Sequence, residues 1–359
     1  MKKRLLALFL GLAMLIPCVV SCNRKGGDTA DVHVFYYTYS DPYISSVRNA
    51  LDAKLKDGGM SYQDYDGNGN QTTQTEQIQT AITKGAKVIA VNIVNTGSDD
   101  AANGIVSLAK NAGIPVIFFN REVSDNVISS YDKCTFVGTR AEEAGMLQGE
   151  MIGEYLTENF DKVDINGDGE ISYIMFKGEE GNNEAIYRTQ YSVEEANKKL
   201  SAAGKKALRF YDASNPNKYL VDRNGQWSAS AANEYMTTAL TSYNEKHKNM
   251  IELVICNNDG MAEGAISALN GAGYNLGGES KAIPVFGVDA TEAARELIKG
   301  GKMTGTIKQD AEGMAEAIAK IVENGLGDGE LLDGMGDYSI DKNVDKIRIA
   351  YSKYLGDKE

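Results

Sequence analysis

The sequence predicts an α/β protein built from two doubly wound parallel sheets, and three observations carry that expectation. Short β-rich runs alternate with helical stretches from about residue 31, and the alternation starts again after residue 140. The runs themselves, KVIAVNIV above all, are apolar on both faces, as strands covered by helices on two sides are. Finally, well over 300 residues remain once an N-terminal leader is set aside, enough chain for two separate cores. A βα rhythm that runs twice through such a length points to two sheets.

Taken in order, HVFYYTY (33–39) is the first strand, and YISSVRNALDAKLK follows with apolar residues at helical spacing. SYQDYD, KVIAVNIV and PVIFFN are the next strands, separated by helical TTQTEQIQTAITKGA and the stretch around IVSLAKNAG. In the second half, ISYIMFKG, ALRFYDAS, IELVICNN and IPVFGVDA alternate with helices such as AANEYMTTALTSYNE and GMAEGAISALNGAG. No short-period repeat is evident.

The chain begins with Lys2, Lys3 and Arg4, then LLALFLGLAMLIP, an apolar run too short to span a bilayer as a stable helix. It ends in VVSC, which resembles the cleavage site of bacterial lipoproteins. Residues 1–22 are therefore expected to be a signal peptide, with Cys22 as the lipid-bearing N-terminus. The other reading is an ordinary signal peptide cut nearby. NRKGGDTAD follows as a polar tether over about 23–30. No later segment is apolar enough to cross a membrane, so the expected location is exported, lipid-anchored, and facing the periplasm or cell exterior. Cys134 and Cys256 lie beside buried strands with no CxxC pair, and are expected as free thiols. A net charge of −13 with no basic stripe argues against a nucleic-acid partner.

The informative feature is what ends each strand. Asp41 follows the first, Asn120 ends PVIFFN, Asn258 and Asp259 end IELVICNN, and Asp289 ends IPVFGVD. In open parallel sheets, ligands bind outside the carboxyl ends of the strands. At any one position a helix cap explains Asp or Asn as well. Taken with the aromatics Tyr43 and Trp227 in loops, the whole set fits a cleft for an uncharged polyol. Each hydroxyl both donates and accepts, and aromatic faces suit the C–H face of a sugar ring. Catalysis is poorly supplied. His33 sits at the amino end of its strand and His247 in the polar run EKHKN, with no nucleophile–base pair and no carboxylate pair singled out. The chain is not expected to be an enzyme. DGNGN (66–70) is a turn, not a phosphate loop.

DINGDGEISYIM (164–175) opens like a calcium loop, with oxygen-bearing side chains at its first, third and fifth positions and glycine at the sixth. Its twelfth position, where an EF-hand places a bidentate glutamate, is Met175. From the residues alone, an acidic turn and a calcium loop completed from elsewhere remain equal alternatives.

Several motifs carry a family resemblance: YTYSDPYISSVRNAL, AKVIAVNIV, IPVIFFNREV, SYDKCTFVGT, FKGEEG with AIYRTQY, VICNNDGMAEGA, IPVFGVDA and DINGDGEIS. From about residue 31 to the end, the chain resembles the periplasmic galactose/glucose-binding proteins, sugar receptors of ABC importers. The resemblance implies a Venus-flytrap fold with three crossover strands, here near Thr139, Gln309 and DYSIDKN. The lobes would then comprise residues 31–139 plus about 310–338, and 140–309 plus about 339–359. It also implies a monomer that captures glucose or galactose and docks on a membrane permease, and in the alternative reports to a chemoreceptor or kinase.

By position, the resemblance assigns Asp41 to the sugar 4-hydroxyl and Tyr43 and Trp227 to the two aromatic plates, with Tyr43 where the family has phenylalanine. Asn120, Arg188, Asn258 and Asp289 match sugar ligands directly. Asn182 replaces a histidine, Glu184 an aspartate and Gln309 an asparagine. These departures leave the preferred anomer and hexose open, with another aldose such as xylose as the alternative. The resemblance further implies a structural calcium ion held by Asp164, Asn166, Asp168, the Glu170 carbonyl, Ser172 where the family has glutamine, and the distant Glu252.

Overall fold

The computed structural model describes residues 30–327 and 329–356. The expected signal peptide, Cys22 and all of the tether but its last residue lie outside the described residues. The chain builds a first lobe from β1 (Val32–Tyr36), α1 (Pro42–Asp57), β2 (Tyr62–Asp66), α2 (Gln71–Thr83), β3 (Val88–Val91), α3 (Asp100–Ala112), β4 (Val116–Phe119), α4 (Asp125–Ile128) and β5 (Cys134–Gly138). A second lobe follows, with α5 (Ala141–Val163), β6 (Ser172–Lys177), α6 (Asn183–Ala202), β7 (Arg209–Phe210), β8 (Leu220–Val221) and α7 (Ala229–Ser242). It continues through β9 (Leu253–Cys256), α8 (Asp259–Gly271), β10 (Val285–Asp289), α9 (Glu292–Lys299) and β11 (Gly305–Gln309). The chain then returns for α10 (Ala311–Leu326), β12 (Ser339–Ile340) and β13 (Lys346–Arg348), and ends in β14 (Tyr351–Tyr354).

The first sheet runs in the order β12-β13-β5-β4-β3-β1-β2, and the second β14-β11-β10-β9-β6-β7, with β8 also beside β6. Neighbours are parallel except β12 against β13 and β14 against β11. The two-faced apolar strands are explained by what covers them. Val34 and Tyr36 pack into a cluster with Ile44, Val47 and Leu51 of α1 and Met314 and Ile318 of α10. Phe35 points the other way, toward Ile78 of α2 and Ile105 of α3. The second sheet is covered likewise, by α5 and α6 on one face and α7, α8 and α9 on the other. Cys134 and Cys256 are buried and free.

Local chemistry sets the element starts nearest the cleft. Pro42 occupies the first turn of α1, and Asp41 caps it by accepting from the Ile44 amide at 2.9 Å. Asn182 caps α6 and Asn258 caps α8 in the same way. The capping alternative is therefore true at these positions, and it fixes their side chains at the carboxyl ends of the strands.

The chain passes between the sheets at Thr139, at Asp310 and at residues 349–350. The last of these corrects the boundary expected at DYSIDKN. Residues 339–348 belong to the first sheet, because β13 pairs in parallel with β5, placing Lys346 opposite Phe136 and Arg348 opposite Gly138. Ile347 enters the first core, and Lys346 forms ion pairs with Glu122 at 2.9 Å and Asp125 at 2.7 Å. Only the segment from Tyr351 joins the second sheet.

Candidate functional site

Twelve residues from both lobes line one cavity at the carboxyl ends of the strands. The ten residues that the family resemblance assigns to a sugar are among them, joined by Tyr37 and Arg121, whereas the strand-end Asp259 lies outside the lining and accepts from the Thr306 hydroxyl and the Thr291 amide.

The first lobe supplies Asp41, Tyr43 and Asn120. One Asp41 oxygen is spent on the cap, and the other accepts from the Tyr37 hydroxyl at 2.6 Å. Asn120 has a left-handed backbone, and its side-chain oxygen accepts from Asn92 Nδ2 at 3.1 Å. Arg121 stacks its guanidinium over the Tyr37 ring, 4.5 Å from the centroid. Its Nη2 donates to the Val94 carbonyl and reaches Glu179 of the second lobe at 2.7 Å. Tyr37 and Arg121 were missed in the sequence: each stands just past a strand end, but neither is the Asp or Asn by which Asn120 was selected.

The second lobe supplies the remaining polar groups. Asn182 donates across the cleft to Thr96 Oγ1 at 3.4 Å. Asn258 donates to the Trp227 carbonyl at 3.2 Å. Trp227 lies against Gly178, where a Cβ would fall 2.0 Å from the indole, so a larger residue there would displace the ring. Arg188 is fully enclosed. Its Nη1 donates to the Asn257 carbonyl at 2.9 Å, and its Nη2 to Gln309 Oε1 at 3.2 Å and to the Tyr351 hydroxyl at 2.9 Å. Asp289 lies 4.0 Å from Arg188, at φ 126°, a backbone region that non-glycine residues rarely occupy. Strain of this kind, worth about 1–3 kcal/mol, persists where the surroundings over-determine the conformation, as they do at binding sites.

Electrostatics follow from burial. Burial pushes the Glu184 and Asp289 carboxyls up from the usual range, and the Arg188 cation opposes that rise in both. Arg188 is itself pulled down by burial, but Tyr351, Asp289 and Glu184 more than offset this and keep it charged. Four buried atoms of the lining have no protein hydrogen-bond partner: Glu184 Oε1, Arg188 Nε, Arg121 Nε and Gln309 Nε2. One acceptor and three donors left unpaired in the lining can be met by a ligand rich in hydroxyls, each of which both donates and accepts. No nucleophile–base pair lies among them.

The 164–172 loop is a separate place. Asp164 accepts from the amides of Gly167, Asp168 and Gly169 at 2.8–3.1 Å, and Gly167 and Gly169 take the left-handed conformation the turn requires. Glu252, fully buried on the strand side, accepts from the Asn166 amide with one oxygen and the Ser172 amide with the other. The Glu170 side chain turns outward to Lys206 and Arg209, leaving its carbonyl to the loop. The donor set is all oxygen, which fits a hard cation. Asn166 Nδ2 is buried without a partner. Among the described residues no three Asp, Glu, His or Cys side chains converge on one point, and backbone amides hold the Asp164 and Glu252 carboxylates in place.

The two lobes and their enclosed polar cavity define a two-lobed ligand-binding protein. Residues 32–330 match the periplasmic binding protein domain, and the chain belongs to that family. It is 33% identical to a D-galactose/methyl-galactoside binding periplasmic protein of Haemophilus influenzae, over 82% of this chain and 80% of that one. A D-xylose-binding periplasmic protein of Escherichia coli is 30% identical over 73% of this chain and 67% of the other. An ABC transporter solute-binding protein from Clostridium phytofermentans, solved with β-D-glucose, superposes with a TM-score of 0.70 at 20% identity, covering 90% and 93% of the two chains.

Proposed function

We propose that this chain is the sugar-binding component of an ABC importer, exported to the periplasm or cell exterior, and that it captures a monosaccharide in the interlobe cavity. The observation that carries the reading is the set of four unpaired buried polar atoms in one interlobe cavity that Tyr43 and Trp227 also line. Three carboxylates and two arginines line it, so an uncharged ligand is favoured over an ionic one. The match to a D-galactose-binding relative supports galactose as the ligand, with its 4-epimer glucose beside it, and the family resemblance sets Asp41 at the 4-hydroxyl and Tyr43 and Trp227 over the ring. Glu184 is a methylene longer than aspartate and tightens the same cavity, and the match to a xylose-binding relative supports a smaller aldose as the second reading.

Binding is non-enzymatic. Sugar first contacts one lobe and then bridges to the other, shifting a hinge equilibrium toward the closed form. The permease docks on that form, and a chemoreceptor would read the same surface. Calcium at the 164–172 loop would hold the loop to β6 and β9 through Glu252 without touching the cavity. Lipid attachment at Cys22 would keep the receptor at the membrane; Cys22→Ser should release it to the soluble fraction, and retention would sink that part. Calorimetry against a panel of aldoses tests the main claim. One-to-one binding of glucose, galactose or xylose is expected, and silence from the whole panel would overturn it.

A further inference from the structure

We infer that Tyr351 is a positioning residue that ties Arg188, and with it the occupant of the cavity, to all three crossovers of the hinge. The inference rests on the sugar-receptor reading for its ligand, but its geometry stands apart from it. Arg188 projects from α6, well inside the second lobe. Its Nη2 donates both to Gln309 Oε1, at the end of β11 where the second crossover begins, and to the Tyr351 hydroxyl, where the third crossover ends. Gln309 and Tyr351 stand opposite each other in the antiparallel pair of β11 and β14. The Thr139 hydroxyl, in the first crossover, donates to the same Tyr351 oxygen at 2.8 Å. The first and third crossovers are also joined directly, by the Ile349 amide on the Gly138 carbonyl at 2.7 Å and Arg348 Nη1 on the Thr139 carbonyl at 2.6 Å.

One phenolic oxygen therefore receives a donor from the cavity side and a donor from the hinge side. The remaining nitrogen of the guanidinium, Nε, has no protein partner and belongs to the cavity lining. A hydroxyl bound at Nε fixes the plane of the guanidinium, and a planar fork so fixed aims its Nη2 at Gln309 and Tyr351. Lobe opening rotates the crossover backbones, which separates Thr139, Gln309 and Tyr351 from the arrangement this single donor can serve. Occupancy and hinge angle then share one hydrogen-bond network, and the free-energy coupling between them passes through Tyr351.

The test uses the full mature protein as wild type, Tyr351→Phe and Thr139→Val, with D-glucose and D-galactose as probes. Calorimetry reads affinity, and small-angle X-ray scattering reads lobe closure with and without saturating sugar. The wild type should contract on saturation. Tyr351→Phe should bind roughly 3–10-fold more weakly, in line with the lost Arg188 hydrogen bond, and, with the Thr139 bond lost as well, contract incompletely at saturation. Thr139→Val, which leaves the Arg188 contact intact, should show the same closure defect with a smaller loss of affinity. A merely structural role would lower the melting temperature yet leave saturated closure complete, and that result in both variants would overturn the inference. If the wild type binds neither sugar, the receptor reading has failed. The hinge claim is then read from the unliganded profiles: variants more open than wild type support it, and identical profiles overturn it.

Discussion

Asp41 shows how one residue can carry two demands. Its Oδ1 caps α1 through the Ile44 amide while Oδ2 accepts from Tyr37, so the carboxylate is held rigid beside the cavity before any ligand arrives. Asp41→Asn keeps the shape and an oxygen for the cap, but a neutral amide cannot grip a hydroxyl as a carboxylate does. Hydrogen bonds to charged groups contribute about 1.5–3 kcal/mol, so titration calorimetry should show affinity falling about 10- to 150-fold with the melting temperature little changed. An unchanged affinity would remove Asp41 from the ligand shell. At this scale the sequence was legible at the strand ends that carry Asp41, Asn120, Asn258 and Asp289, though not at Asp259, which turns away to Thr306 and Thr291. Tyr37 and Arg121 were not legible because a tyrosine after a strand reads as core, and an arginine in NREV as surface. Only the packing of Arg121 over Tyr37 and against Glu179 makes them part of the cavity.

Two elements away from the cavity carry their own predictions. Asp52 on α1 and Asp64 on β2 each leave an oxygen buried without a hydrogen-bond partner, and the equally unpartnered Tyr36 hydroxyl lies among them. Burial first, then the Asp52 charge, pushes the Asp64 carboxyl up to about 8. A carboxyl whose folded pKa lies above its unfolded value of 3.8 favours folding below about pH 4, and that contribution fades as the pH climbs through 8. Asp64→Asn should therefore raise the melting temperature more at pH 9 than at pH 5. Equal gains at both would contradict the buried pair. In the 164–172 loop, calcium should raise the melting temperature of wild type, and a chelator should reverse it. Glu252→Gln should abolish that response while sugar affinity persists. A chelator-insensitive wild type would make the loop an amide-stitched turn.

The whole molecule was legible in outline because the central strand runs are apolar on both faces and α1, α6 and α8 cap at cleft residues. Its last crossover was not. KIR is three residues with no period to read, and its partner β5 lies about 210 positions earlier, so only tertiary pairing places β13 in the first sheet. At this scale closure is the functional event. Arg121 of one lobe meets Glu179 of the other, Glu179 Oε2 accepts from Trp227 Nε1 at 3.5 Å, and the indole lies over the cavity. Trp227 is the single tryptophan of the chain, so its emission reports this one place. The decisive measurement is that emission during titration with glucose, galactose and xylose. The account predicts a saturable one-to-one change with at least one of them, lost in Asp41→Asn at the same concentration. Emission unmoved by every aldose at millimolar concentration would contradict it.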